Sequence, residues 1–257
     1  MKEKNMARVL SQREIVPHIY DLWLETTMAA QAAPGQFIGV YPKDGSTLLP
    51  RPISICEVST KSKALRIVYR IAGQGTAEFS GLREGDPVDI LGVLGNGFPL
   101  VLGRRKRCFL IGGGIGIPPL LQLAKELDTE EKSIILGYRD SNLFLAEELA
   151  RYGKVYVATE DGSQGTKGNV LDAIREHSLE GDIIYACGPM PMLRAIKQYA
   201  AEQRIKAYIS LEEHMACGVG ACLGCVVKTR EVDPHSHVHN ARICTDGPVF
   251  DAEEVDI

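Results

Sequence analysis

The sequence predicts an antiparallel β-barrel, then a doubly wound α/β domain with a parallel sheet, then a short cysteine-bearing segment. Three observations carry that reading. Up to Gly103 the chain is made of short β-rich runs separated by turn signals, and from Arg107 onward apolar runs alternate with helical segments. After Ser210, four cysteines crowd a glycine-rich stretch. The 257 residues suffice for two cores and an appendage, with boundaries expected at 1–103, 104–209 and 210–257.

In the first part, Val68-Tyr69-Arg70-Ile71 and Val88-Asp89-Ile90-Leu91 read as strands. Ala33-Pro34-Gly35, Pro42-Lys43-Asp44-Gly45, Arg83-Glu84-Gly85-Asp86 and Gly95-Asn96-Gly97 read as turns. Regular short strands with little helical periodicity favour a barrel, interrupted by one helix near 76–82. In the second part, strands at 108–111, 133–136, 155–158 and 182–186 alternate with helices at 118–127, 146–152, 169–177 and 190–203. Strands and helices in alternation are the pattern of a parallel sheet covered on both faces.

Composition excludes several classes. A net charge of −4 gives no electrostatic reason to expect nucleic acid or an anionic membrane as partner. Seven cysteines are an odd number, and no disulfide framework is implied, so a reducing cytoplasm is the simplest home. The charged start, Met1-Lys2-Glu3-Lys4-Asn5, leads into no apolar signal region, and the most apolar run, 108–121, is too short and too rich in Gly and Pro to span a bilayer.

The most specific motif is Cys217-Gly218-Val219-Gly220-Ala221-Cys222-Leu223-Gly224-Cys225, followed at a distance by Cys244. This C-x4-C-x2-C…C order is the plant-type spacing for a [2Fe–2S] cluster. Small residues between the cysteines let the backbone curl and aim N–H groups at sulfur. The competing readings are a structural zinc site, whose cysteines usually come as two separated pairs, and a disulfide knot.

Two motifs mark the second part. Ile111-Gly112-Gly113-Gly114-Ile115-Gly116-Ile117-Pro118-Pro119 follows a predicted strand and opens a helix, where glycines admit a dinucleotide pyrophosphate; the plain alternative is a ligand-free turn. Ala186-Cys187-Gly188-Pro189-Met190 lies at another strand's C-terminal end, the edge where such sheets bind ligands. Cys187 is there either a small core residue or a contact for nicotinamide. In the first part, Arg51-Pro52-Ile53-Ser54 stands just before a strand, with Val68-Tyr69-Arg70 and Gly73-Gln74-Gly75-Thr76 downstream. Their guanidinium and hydroxyl groups suit phosphate or a flavin, although such arginines are more often solvated surface charges. His235, His237 and His239 read as a solvated loop rather than metal ligands, and Cys56 and Cys108 as core.

The combination of Arg-Pro-x-Ser, the glycine-rich loop and Cys-Gly-Pro-x-x-Met resembles the ferredoxin–NAD(P)+ reductase superfamily over about residues 5–205. With Leu211-Glu212-Glu213-His214-Met215-Ala216 leading into the cysteines, the whole chain is similar to the electron-transfer subunits of NAD-dependent (type B) dihydroorotate dehydrogenases. That resemblance implies FAD in the barrel, NAD in the α/β domain and one [2Fe–2S] cluster in the tail. It sets Arg51, Pro52, Ile53 and Ser54 against the flavin, Val68, Tyr69 and Arg70 along its ribityl and phosphate groups, and Gly75 and Thr76 at its pyrophosphate. The glycine-rich loop and the strand-end motif put Gly112, Gly113, Gly114, Gly116, Cys187, Gly188 and Pro189 at NAD, and the resemblance assigns Cys217, Cys222, Cys225 and Cys244 to the cluster.

The resemblance further implies a partner: an FMN-containing dihydroorotate dehydrogenase catalytic subunit, in a heterotetramer serving pyrimidine biosynthesis. Electrons then run from the partner's FMN through the cluster and FAD to NAD+, because a flavin exchanges both hydride and single electrons. Dihydroorotate is oxidised on the partner, so no catalytic acid or base is assigned to this chain. The alternative within the superfamily is the flavin and iron–sulfur subunit of a ferredoxin-NADPH oxidoreductase, a sulfide dehydrogenase or a hydrogenase complex. Plant-type reductases end in an aromatic residue over the flavin, whereas this chain runs on into its cysteines, leaving open what covers the nicotinamide-facing side. Tyr138-Arg139-Asp140 offers both signs of charge, so the choice of NAD over NADP rests on the resemblance.

Overall fold

A computed structural model of the chain describes residues 3–45, 47–232 and 237–257. The first part forms β1 (Glu3–Val16), β2 (Ile19–Glu25), β3 (Phe37–Val40), β4 (Arg51–Ser59), β5 (Ala64–Arg70), α1 (Gln74–Phe79) and β6 (Pro87–Leu94). Six strands close an antiparallel barrel in the order β1-β2-β5-β4-β3-β6. Alternation along the strands fills it: Leu22, Leu24, Ile55, Leu65, Ile67 and Ile90 are wholly buried, each burial contributing roughly 1.5–3 kcal/mol.

The rest comprises β7 (Arg107–Gly113), α2 (Pro119–Glu126), β8 (Glu131–Tyr138), α3 (Ala146–Leu149), β9 (Lys154–Thr159), β10 (Thr166–Lys167), α4 (Val170–Glu176), β11 (Ile183–Cys187), α5 (Met190–Gln203) and β12 (Lys206–Ser210). After these come β13 (Val226–Thr229), β14 (Asn240–Arg242), β15 (Val249–Asp251) and β16 (Val255–Asp256). The large sheet runs β10-β9-β8-β7-β11-β12-β15, parallel except for the antiparallel edge strand β15. Strand β7 shows why helices cover both faces. Its Cys108 and Leu110 pack with α2 residues Leu120 and Leu123, whereas Phe109 and Ile111 pack with Ile174 of α4 and Ile196 of α5.

The sequence expectations differ from this arrangement in three places. The Arg51-Pro52-Ile53-Ser54 motif does not precede a strand but forms the first four residues of β4. The barrel helix starts two residues earlier than expected and ends at Phe79, where Gln12 Nε2 donates to the carbonyls of Phe79, Ser80 and Leu82. The cysteine tail is not a free appendage: β15 adds to the large sheet beside β12, and β14-β13-β16 makes a small sheet of its own.

One buried ion cluster joins the barrel to the α/β part. Arg66 of β5 donates to both oxygens of Asp21 at 2.8 and 3.0 Å, to Glu57 at 3.1 Å and to Glu148 of α3 at 2.6 and 3.0 Å. Glu57 also accepts from Lys125 of α2 at 2.7 Å.

Candidate functional site

Strands β7 and β11 are adjacent and parallel, with Cys187 opposite Gly112. The loops leaving their C-terminal ends therefore emerge side by side, at the edge where ligands bind in such sheets. Facing that edge are the start of β4, the end of β5 and the turn into α1. Between the two lies a cavity of about 850 Å³. Its wall gathers Arg51, Pro52, Ile53, Ser54, Val68, Tyr69, Arg70 and Thr76 from the barrel, and Gly113, Gly114, Gly116, Cys187, Gly188 and Pro189 from the sheet.

Gly75 and Gly112 stand behind this wall. A Cβ on Gly75 would lie 2.8 Å from Arg51 Nε, so its bareness gives the guanidinium room beside α1. A Cβ on Gly112 would lie 2.7 Å from Leu120 Cδ1, so this glycine serves the packing of α2 on β7. Gly114 has φ +51° and open space where a side chain would project.

Polar groups on the wall are held from behind. Arg51 Nη1 donates to the Leu49 carbonyl at 2.6 Å. Thr76 Oγ1 accepts from the Ala72 and Gly73 amides at 2.8 and 3.2 Å, which fixes the turn entering α1. Tyr69 stacks on Tyr20 with centroids 5.7 Å apart and donates its hydroxyl to Gln12 at 3.0 Å. Burial pushes the Cys187 thiol up to about 12, against the pull of the neighbouring Ser210 hydroxyl. At neutral pH the thiol therefore keeps its proton.

Sequence reasoning missed part of the lining. Phe37 joins from β3, where it pairs with Ser54, and Pro248 comes from the tail. Ser210, Leu211, Glu212, Glu213, His214 and Met215 line the side next to the cysteines. In the sequence the Glu212–His214 run is no more than the lead into the cysteines; its place just after the C-terminal end of β12 is the signal that marks it.

The four cysteines of the tail lie close enough to act on one another: Cys217 feels Cys222, and Cys244 feels Cys225 and, less strongly, Cys217. The amides of Val219, Ala221 and Cys222 point at Cys217 Sγ from 3.4, 3.3 and 3.4 Å. Burial works to raise the Cys217 thiol, but these N–H groups and Cys222 outweigh it and bring it to about 6. Cys244, buried and beside Cys225, is pushed up to about 11. Gly218 and Gly220, at φ +66° and +84°, make the curl possible.

This donor set fits a diiron cluster, in which each iron takes two thiolates, with amides left to stabilise the anionic core. Among the described residues no three His, Cys, Asp or Glu side chains surround one point as a single tetrahedral ion requires. His237 and His239 are exposed, and His235 lies outside the described residues. Cys56 and Cys108 are buried in the core. Among the described residues no helix is long and apolar enough to cross a membrane.

Comparison with known proteins agrees with this geometry. Residues 212–256 match the family described as the iron–sulfur cluster binding domain of dihydroorotate dehydrogenase B. Residues 110–198 match the oxidoreductase NAD-binding domain. The chain is 44% identical over 261 aligned positions to the "Dihydroorotate dehydrogenase B (NAD(+)), electron transfer subunit" of Bacillus cereus strain B4264, covering 99% of each chain. It is 43% identical to the protein of the same name from Bacillus anthracis strain CDC 684, with the same coverage. Among solved structures, an NADH-dependent reduced ferredoxin-NADP oxidoreductase superposes with a TM-score of 0.86 at 27% identity, covering 100% of this chain and 91% of that one. A ferredoxin NADP+ reductase from Neisseria gonorrhoeae shares the fold alone, with a TM-score of 0.67 at 16% identity over 77% of this chain and 91% of that one. By full-length similarity, the chain belongs to the family of electron transfer subunits of NAD+-linked dihydroorotate dehydrogenase B.

Proposed function

We propose that this chain relays electrons from an FMN-bearing dihydroorotate dehydrogenase catalytic subunit, through a [2Fe–2S] cluster and FAD, to NAD+ in pyrimidine biosynthesis. The observation that carries the reading is the shared cavity: the Arg51–Ser54 motif, both nucleotide loops and the lead into Cys217 meet around one space. A flavin bound there exchanges hydride with nicotinamide and single electrons with an iron–sulfur cluster.

The chain's own residues supply binding and orientation. Arg51, Pro52, Ile53 and Ser54 hold the flavin, Val68, Tyr69, Arg70 and Thr76 its ribityl and phosphate groups, and Gly75 leaves Arg51 its place. Gly113, Gly114 and Gly116 open the loop for the NAD pyrophosphate, with Gly112 seating α2 behind them, and Cys187, Gly188 and Pro189 meet the nicotinamide end. The Leu211-to-Met215 stretch covers the side of the cavity that an aromatic terminus covers in plant-type reductases. Cys217, Cys222, Cys225 and Cys244 ligate the cluster. We take residues 1–103, 104–209 and 210–257 as the FAD, NAD and cluster units.

The partner meets the chain at the cysteine loop, where Cys222 is exposed beside Val219 and Leu223, 41% and 56% exposed. The assembly is a heterotetramer of two such pairs. Seven unbridged cysteines suit a reducing cytoplasm.

The test is reconstitution. The isolated chain should oxidise NADH with artificial acceptors and leave dihydroorotate untouched. Adding the catalytic subunit should create dihydroorotate:NAD+ activity and a larger complex on size exclusion. Dihydroorotate oxidation by this chain alone, or no complex, would overturn the reading. Reduction of NADP+ with ferredoxin instead would point to the oxidoreductase whose structure superposes along the whole chain.

A further inference from the structure

We propose that Asn96, in the turn after β6, is a positioning residue that fixes the separation between the flavin cavity and the four cysteines of the tail. The inference rests on the cofactor sites proposed above, and its geometry begins with a register. Ser54 of β4 stands opposite Phe37 of β3, and Phe37 stands opposite Leu94 of β6. Beyond Leu94 lies the cysteine loop: a Cβ on Gly218 would be 3.3 Å from Leu94 Cδ1. Three residues thus cross the barrel wall from the proposed flavin motif to the cysteine loop.

The next residues fasten the far end. Asn96 donates its backbone N–H to the Gly247 carbonyl at 2.6 Å. Its side-chain amide donates to the carbonyls of Thr245 and Asp246 at 3.2 and 3.0 Å. These acceptors are the three consecutive residues that follow Cys244. On the barrel side, Gln36 Nε2 donates to the Gly95 carbonyl at 2.7 Å. On the cavity side, Pro248 packs where a side chain on Gly95 would go, and its carbonyl accepts from the Leu211 amide at 2.9 Å. One asparagine therefore ties the segment after Cys244 to the strand end that carries Leu94.

Asparagine is the fitting residue. Its NH2 group brings two donors to two carbonyls, whereas aspartate of the same shape would set an anion against them. The segment it restrains bears on the glycine-rich curl, because Thr245 packs where a side chain on Gly220 would go, its Cγ2 2.8 Å from that Cβ. Each hydride delivered to NAD+ needs two electrons and one proton. With a cluster held by the four cysteines and a flavin in the cavity, the electrons would pass singly between them, the proton being taken up from water. Because tunnelling falls steeply with separation, a clamp that removes slack sets the rate of that passage.

Asn96→Asp and Asn96→Ser should be made in the chain loaded with FAD and cluster. Iron, FAD and the rate of flavin reduction by NADH should match the unaltered protein. Electron passage between flavin and cluster, followed by stopped-flow spectroscopy, should slow severalfold, with Asn96→Asp the slower. The cluster's electron paramagnetic resonance lines should broaden, and amide hydrogen exchange over residues 245–250 should quicken even without the cluster. Unchanged passage in both variants would remove the clamp while leaving the cofactor sites standing. Loss of iron from both would make Asn96 a retention device and also overturn the positioning role. An unaltered protein without iron would remove the four-cysteine reading and the clamp with it.

Discussion

Gly116 and Cys187 meet backbone to backbone: a Cβ on Gly116 would stand 2.5 Å from the carbonyl carbon of Cys187. The two sheet loops of the cavity are therefore one surface, set by the adjacency of β7 and β11. Met192 extends that surface, standing where side chains on Gly113 and Gly188 would be. The two loops proposed to meet the nicotinamide and pyrophosphate ends of a dinucleotide are therefore joined along one seam.

Gly114 is the open point of that seam. Gly114→Val adds a branched side chain facing free space at φ +51°, a strained conformation for a β-branched residue. Reduction of bound FAD by NADH should fall strongly while flavin content is kept. Stopped-flow absorbance measures this, and an unchanged rate would move the nucleotide site elsewhere.

Arg51→Ala removes a cation from the wall and leaves the Leu49 carbonyl without its donor. Charge-assisted bonds are worth about 1.5–3 kcal/mol each, so losing one to FAD should weaken its affinity by roughly tenfold to a hundredfold. Dialysis followed by flavin absorbance checks this. Full retention of FAD would assign the arginine another role.

Much of this site is legible in the sequence because its parts are local. The cysteine spacing, the glycine loop after a strand and Cys-Gly-Pro at a strand end each carry their chemistry within a few residues. Long-range pairing is not written locally. The approach of Phe37 to Ser54 depends on barrel register, and the docking of Pro248 against Gly95 joins residues far apart in the chain. The β15 edge strand is only three residues long, too short for periodicity to announce. The lead into the cysteines showed its family but not its place, because polar residues such as Glu212 and His214 read equally well as solvated loop.

Cys222 is the exposed member of the cysteine set. Cys222→Ser replaces a soft thiolate by a hydroxyl while leaving the barrel untouched. Iron and labile sulfide should fall to a small fraction of the unaltered protein's, with the flavin spectrum retained. Stoichiometric iron in the variant would exclude Cys222 as a ligand.

The last prediction concerns the ion cluster that joins the barrel to α2 and α3. Arg66 is 4% exposed and Asp21 3% exposed, so Arg66→Met would leave the buried Asp21 carboxylate with Arg13 at 3.3 Å as its remaining cation and cost up to about 3–5 kcal/mol. Glu148→Gln is gentler and separates the acid response. Its hydrogen bond from Arg66 holds the Glu148 carboxyl below its ordinary value, against the opposing effect of burial. A depressed carboxylate stabilises the fold above its ordinary value of 4.5 and loses that contribution as pH falls through the lower, folded value. Stability of the unaltered protein should therefore decline more steeply below that ordinary value than stability of Glu148→Gln. Thermal unfolding at a series of pH values measures the difference. Parallel acid limbs in the two proteins would show that the Arg66–Glu148 contact contributes nothing to the joint between barrel and sheet.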